Sequence, residues 1–140
     1  MEYRFDLPRF VDAQNPVYDV VRAELKAGRK QTHWMWFIFP QMAGLGHSET
    51  AQRYAIADIE EARAYLAHPL LGDRLDECCR LALAFTDRTA TDIFGTPDDL
   101  KFHSSLTLFS EAAPEAGIFD LCLNRFFGGK SDQATLALLS

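Results

Sequence analysis

The chain is poor in cysteine, in cationic charge and in long apolar runs, and each shortage removes a class of function. Its cysteines are Cys78, Cys79 and Cys122. Adjacent cysteines rarely pair with each other, and an odd count leaves at least one thiol free, which suits a reducing compartment. No C-x-x-C pair is followed by another ligand pair, so a zinc motif is absent and no metal is expected. Lysine and arginine number 14 against 20 acids, for a net charge of −6. That balance argues against binding a nucleic-acid polymer, which needs a clustered basic excess. The longest apolar run, Trp34 to Pro40, is far below the roughly 18 residues of a membrane span. Met1 to Phe10 carries Glu2, Arg4, Asp6 and Arg9 and has no apolar core of signal-peptide length. The expectation is a cytoplasmic protein without membrane attachment. Repeats and low-complexity segments are lacking too.

What remains is an ordinary globular composition. The chain has 140 residues, 48% hydrophobic and 24% charged. One domain over residues 1–140 is expected, large enough to bury a core without a metal or disulfide staple. Its punctuation is mostly helix punctuation. Leu7 to Gln14 reads as a short helix. Asn15-Pro16 reads as the start of a second one, with Val17, Val20, Val21 and Leu25 at helical spacing and Gly28 as its stop. Ser48 is expected to cap a short helix, and Asp58 with Glu61 to open another. Pro69 precedes a stripe of Leu71, Leu75, Cys78, Cys79, Ala82 and Phe85. Thr96-Pro97-Asp98-Asp99 reads as a helix start, with both acids facing the positive end of the dipole. Ile118, Leu121, Cys122 and Phe126 form a further stripe closed by Gly128-Gly129, and Ser131 caps a last helix through Leu139. The pattern predicts an all-α, compact single-domain bundle of about seven or eight short helices.

The most distinctive stretch is Thr32-His33-Trp34-Met35-Trp36-Phe37-Ile38-Phe39-Pro40-Gln41. Strand is the rival reading of so many aromatics. A short helix capped by Thr32 is preferred, because no other segment offers a convincing strand partner. Two residues apart on a helix, Trp34 and Trp36 face different ways, so one is expected in the core and the other at a cavity. His33 is a candidate acid–base group or ligand donor, or else a first-turn histidine satisfied by backbone or solvent. Gln41 offers its amide to a ligand or to the loop backbone. Arg29 and Lys30, together with Lys101, are candidates for holding a phosphate or carboxylate.

The segment Lys101-Phe102-His103-Ser104-Ser105-Leu106-Thr107 supplies further polar groups. Helix neighbours point apart, so His103 is poorly placed to activate Ser104, and no G-x-S-x-G elbow exists. Buried helix hydroxyls ordinarily bond back to backbone or pin neighbouring helices, and that reading is favoured here. Gly128-Gly129-Lys130-Ser131 fails as a phosphate loop, since Asn124 stands where the first glycine belongs. Asp92, Asp98 and Asp99 do not make a calcium loop. Asp132, in the first turn of the last helix, is the acid most worth testing.

These blocks carry a resemblance. The double-tryptophan run, Leu7-Pro8-Arg9-Phe10, Glu61-Ala62-Arg63-Ala64-Tyr65-Leu66-Ala67-His68-Pro69, Ile93-Phe94-Gly95 and Ser104-Ser105-Leu106-Thr107-Leu108-Phe109 resemble an uncharacterised, mostly bacterial domain family often labelled calpastatin-like. The resemblance implies a compact helical fold and no established activity, substrate or cofactor. True calpastatins are long and disordered, whereas this chain has the composition of a compact protein, so protease inhibition is not expected.

Two functions follow. The first is a binding protein or enzyme for a small molecule, a nucleotide or nucleotide-sugar, with a ligand site drawn from His33, Trp34, Trp36, Gln41, Lys101, Ser104 and Ser105. The second is a non-catalytic protein-interaction module, marked by an exposed apolar patch instead of a polar pocket. Polar groups inside the most distinctive segments cost free energy unless each finds a partner, which favours the first.

Overall fold

The computed structural model describes residues 5–140. In chain order the helices are α1 (Pro8–Gln14), α2 (Tyr18–Ala27), α3 (Met35–Ile38), α4 (Glu49–Arg53) and α5 (Ile59–Ala67), then α6 (Leu71–Leu83), α7 (Ala90–Phe94), α8 (Asp98–Ala112), α9 (Ile118–Phe127) and α10 (Gln133–Leu139). A 3-10 turn at Pro114–Ala116 joins α8 to α9. Among the described residues there is no strand; Met42 and Ile56 form an isolated parallel bridge. The fold is all-α, with ten helices among the described residues in place of the seven or eight expected. The helix missed from the sequence is α7, too short for a periodicity signal. Its mark was a reciprocal capping box, in which Thr89 and Asp92 each accept from the other's backbone N–H.

The helix α8 is the hub. It packs against α3, α5, α7, α9 and α10, and its buried residues lie all round the helix. A helix enclosed on every side needs no single apolar stripe. Phe102 is fully buried there, with Phe94 and Phe39 centred 4.4 and 5.0 Å away and Phe126 at 5.7 Å. The amphipathic helices α2 and α6 pack together, with Val21 and Leu25 buried on the first and Leu75, Cys78 and Cys79 on the second; the Cys79 carbonyl accepts the Cys122 thiol of α9.

Expected caps hold at two helices. Ser48 Oγ accepts from Ala51 N–H and Asp58 Oδ1 from Glu61 N–H. At the other helix starts the expected capping residue does not cap. Asn15 continues α1, its N–H reaching the Val11 carbonyl, so α2 begins only at Tyr18. The Thr96 hydroxyl turns to Asp99, and α8 starts after Pro97 with no side-chain cap. Asp132, not Ser131, occupies the cap position of α10, and its carboxylate receives Ser104 and Thr135.

Thr32 does not cap the tryptophan helix either, because Glu24 on α2 captures it. Glu24 Oε1 accepts from the backbone N–H of Gln31 at 2.8 Å, that of Thr32 at 3.1 Å, and the indole N–H of Trp34 at 2.9 Å. Its Oε2 accepts the Thr32 hydroxyl at 2.7 Å. One carboxylate therefore shapes residues 28–34. Gly28 makes the preceding turn: its φ is +73°, and a Cβ there would lie 2.7 Å from the Phe85 ring. Helix α3 then starts at Met35, one turn long, and Pro40 follows its end.

Burial pushes the Glu24 carboxyl up, but the donors from Gln31, Thr32 and Trp34 outweigh it and hold its pKa below the ordinary 4.5. A pKa lowered by folding contributes stability that is full above the unfolded value and disappears as pH falls through the folded one. Glu24→Gln is expected to lower stability at neutral pH by about 1–3 kcal/mol. The gap to wild type should narrow as pH falls below the ordinary 4.5 and through the lowered native value; urea melts at neutral and acid pH measure it. Phe102→Ala should cost about 3–5 kcal/mol in the same melts, as expected for removing a ring from the centre of a packed core.

Candidate functional site

Trp34 and Trp36 part company as their spacing predicts. Trp34 is buried at 1% exposure, its ring 6.3 Å from Phe39. Trp36 is half-buried and lines a cleft of about 270 Å³ together with His33 and Lys101. The remaining walls come from Lys30 and Met35, and from Thr96, Pro97 and Asp98 at the start of α8. The site is thus built by two chain segments that α2 and α8 hold together.

The cleft's charges are organised around one carboxylate. Lys30 Nζ lies 2.8 Å from Asp98 Oδ2, and Lys101 Nζ lies 3.4 Å from Asp98 Oδ1. Each ammonium also covers a tryptophan: Lys30 sits 5.1 Å from the Trp34 ring and Lys101 5.0 Å from that of Trp36. With both lysines charged, the trio sums to +1 inside a chain of net charge −6. The loop before α8 is fixed from below. Asp99 is buried and accepts the hydroxyls of Thr91 at 2.7 Å and Thr96 at 3.3 Å. Lys30 N–H donates to the Ile93 carbonyl at 2.7 Å, joining the loop before α3 to α7. Gly95, with φ +73° and ψ 177°, takes a backbone shape that only glycine adopts readily.

The sequence-derived site residues fall into separate groups. His33, Trp36 and Lys101 line the cleft; Trp34, Gln41, Ser104 and Ser105 are not among its lining residues. Gln41 holds the isolated bridge through its main-chain carbonyl, which accepts Ile56 N–H at 2.9 Å. Ser104 Oγ donates to the Leu100 carbonyl at 3.2 Å and to Asp132 Oδ2 at 2.8 Å. Ser105 is buried, and its hydroxyl has no hydrogen-bond partner among the described residues. Of the proposed cations, Lys30 and Lys101 converge, whereas Arg29 does not line the cleft. Asp98 was read as a helix-start acid and missed as a site residue. Its place three residues before Lys101, on one helix face, was the available signal.

Asp132 belongs to a second polar cluster, between α8 and α10. Burial raises its pKa, but the hydroxyls of Thr135 and Ser104, with His103 nearby, outweigh this and hold it below the ordinary 3.8. Thr107 Oγ1 accepts Asp132 N–H at 2.9 Å and donates to the His103 carbonyl. His103 stacks on Phe127 at 4.1 Å and its Nε2 meets the Lys130 carbonyl at 2.7 Å. These groups pin the last helix, as the hydroxyl reading of α8 anticipated.

Other features offer less chemistry. A cleft of about 310 Å³ beside α1 and α4 contains Asp6, Arg9, Asp12 and Arg53. The Arg9 guanidinium is already committed to Glu61 and to the carbonyls of Asp6, Arg53 and Ala55. Burial pushes the Cys78 thiol up to about 12. The Cys122 thiol and burial together raise Cys79 well above its usual range. Neither is a ready thiolate at neutral pH. Among the described residues no group of His, Cys, Asp and Glu is arranged to hold a metal ion, and no helix is long and apolar enough to cross a membrane.

Residues 4–139 match the family described as "Protein of unknown function (DUF1810)". The fold is similar to the crystal structure of the conserved hypothetical protein Rv1873 from Mycobacterium tuberculosis, at 53% sequence identity and a TM-score of 0.96, covering 98% of each chain. No curated protein matches. With nearly its whole length matched, and the family resemblance of its motif blocks thereby established, the chain belongs to the DUF1810 family.

Proposed function

We propose that this protein binds a small anionic molecule bearing a flat ring, of the nucleotide or nucleotide-sugar class, in the cleft between Trp36 and the start of α8. One observation carries the reading: an indole face and two ammonium groups share one cleft in a protein of opposite net charge. Indole faces hold aromatic rings, and lysines hold phosphate or carboxylate oxygens. Thr96 adds a hydroxyl to the lining, and His33 adds an exposed group able to donate a hydrogen bond or move a proton.

Binding is favoured over hydrolysis. The carboxylate lining this cleft, Asp98, is held by two ammonium ions and stands without the opposed second acid that glycosidic cleavage uses. An interaction module needs a contiguous apolar patch. The large apolar side chains most exposed among the described residues, Val20, Leu100, Leu121 and Leu138, are spread over α2, α8, α9 and α10. The buried free cysteines suit a reducing cytoplasm.

Fluorescence titration tests the binding reading, since Trp34 is enclosed and Trp36 is the indole within ligand reach. AMP, ADP-ribose and UDP-glucose are the probes, with adenosine as the uncharged control. At least one anionic probe should quench the wild-type protein. Trp36→Ala should abolish that quenching and weaken binding about tenfold by calorimetry, as expected for a lost stacking platform. Lys101→Ala should weaken binding by a similar factor. Neither quenching nor heat with any anionic probe at millimolar concentration would dispose of the reading.

A further inference from the structure

We infer that the cleft selects a ring bearing one anionic group, a single phosphoryl or carboxylate, over a ring bearing a chain of phosphates, and that Asp98 sets this limit. The inference rests on the binding reading above and narrows its ligand class.

The two lysines of the cleft are not equivalent. The Lys30 side chain is 6% exposed and its ammonium lies 2.8 Å from Asp98. An ammonium so enclosed needs its carboxylate, and the two stay together. The Lys101 side chain is 26% exposed and its contact with Asp98 is longer, 3.4 Å. A long, half-solvated ion pair is weak, so Lys101 is the group free to turn towards an incoming anion. Asp98 therefore neutralises one of the two cations and leaves one beside Trp36.

The start of α8 adds to this limit. Asp98 and Asp99 both stand in its first turn, one in the cleft wall and one just beneath it. A phosphate chain extending from the Trp36 face towards Thr96 and Pro97 would run beside Asp98, and the cleft's other cation, Lys30, is already held by that carboxylate. The first anionic group gains Lys101; each later one gains no further unpaired cation and lies closest to the Asp98 carboxylate. Lys101 now covers the indole face at 5.0 Å. A ring settling on Trp36 displaces that ammonium, and the displaced ammonium meets the anionic group attached to the ring. Docking of the ring and recognition of its charge become one event.

The test is calorimetry with AMP, ADP and ATP at one ionic strength, without magnesium, on wild type and Asp98→Asn. Wild type should bind AMP more tightly than ATP by about tenfold, as expected for one added like-charge contact near a protein surface. Asp98→Asn keeps a carbonyl oxygen for Lys30 and should level or reverse that order. A thermal melt of the variant confirms folding, and the wild-type order needs no variant at all. If ATP binds wild type more tightly than AMP, or Asp98→Asn binds AMP with the order unchanged, the charge limit is wrong while the binding reading stands. If none of the three binds wild type, the charge limit fails, and the binding reading falls with it only if ADP-ribose and UDP-glucose also fail to bind.

Discussion

The Glu24 carboxylate decides which tryptophan is core and which is surface. It receives the indole N–H of Trp34, two backbone N–H groups and the Thr32 hydroxyl, and so turns an irregular loop into a rigid lead-in to α3. With Trp34 drawn inward, Trp36 must project the other way, since side chains two apart in a helical turn point apart. The same turn carries Lys30 past α7 to Asp98. Without that anchor the cleft would lack both its aromatic wall and its buried ammonium.

The enclosed helix α8 supplies the opposite wall, and its two ends do different work. Its first turn brings Asp98 and Lys101 to the cleft and buries Asp99 beneath it. Further along, Phe102 fills the core, while Ser104, Thr107 and Ser110 bond to Asp132 and Asp120 on neighbouring segments. A helix packed on every side has little room for large side chains at its closest approaches. Small hydroxyl residues fit there, provided their polar atoms find partners. Ser105 is the member of this set whose hydroxyl does not.

Much of the helical framework was readable from local signals. The stripes on α2, α6 and α9, apart from Val20 and Leu121, which are exposed, the caps at Ser48 and Asp58, and the opposed faces of the tryptophans all rest on residues within one or two turns of each other. The capping errors reflect competition among nearby polar groups. Thr32, Thr96 and Ser131 have side chains suited to capping, yet the hydroxyls of Thr32 and Thr96 bond to Glu24 and Asp99, and Asp132 takes the cap position at α10. The candidate site divided for the same reason. His33, Trp36 and Lys101 reached one cleft, while Ser104, a turn further along α8, bonded to Asp132.

The sequence by itself determined an all-α chain, because helix periodicity and capping residues are local properties that need no partner. It also determined that one of two neighbouring tryptophans would be enclosed, but not which. Only the tertiary structure decided that Trp34 goes in, that Lys30 and Lys101 share Asp98, and that the buried serines stand apart from them. Those outcomes depend on hydrogen bonds and ion pairs between residues distant in sequence, such as Lys30 and Asp98. Their geometry exists only once α2, α3, α7 and α8 have packed around a common core.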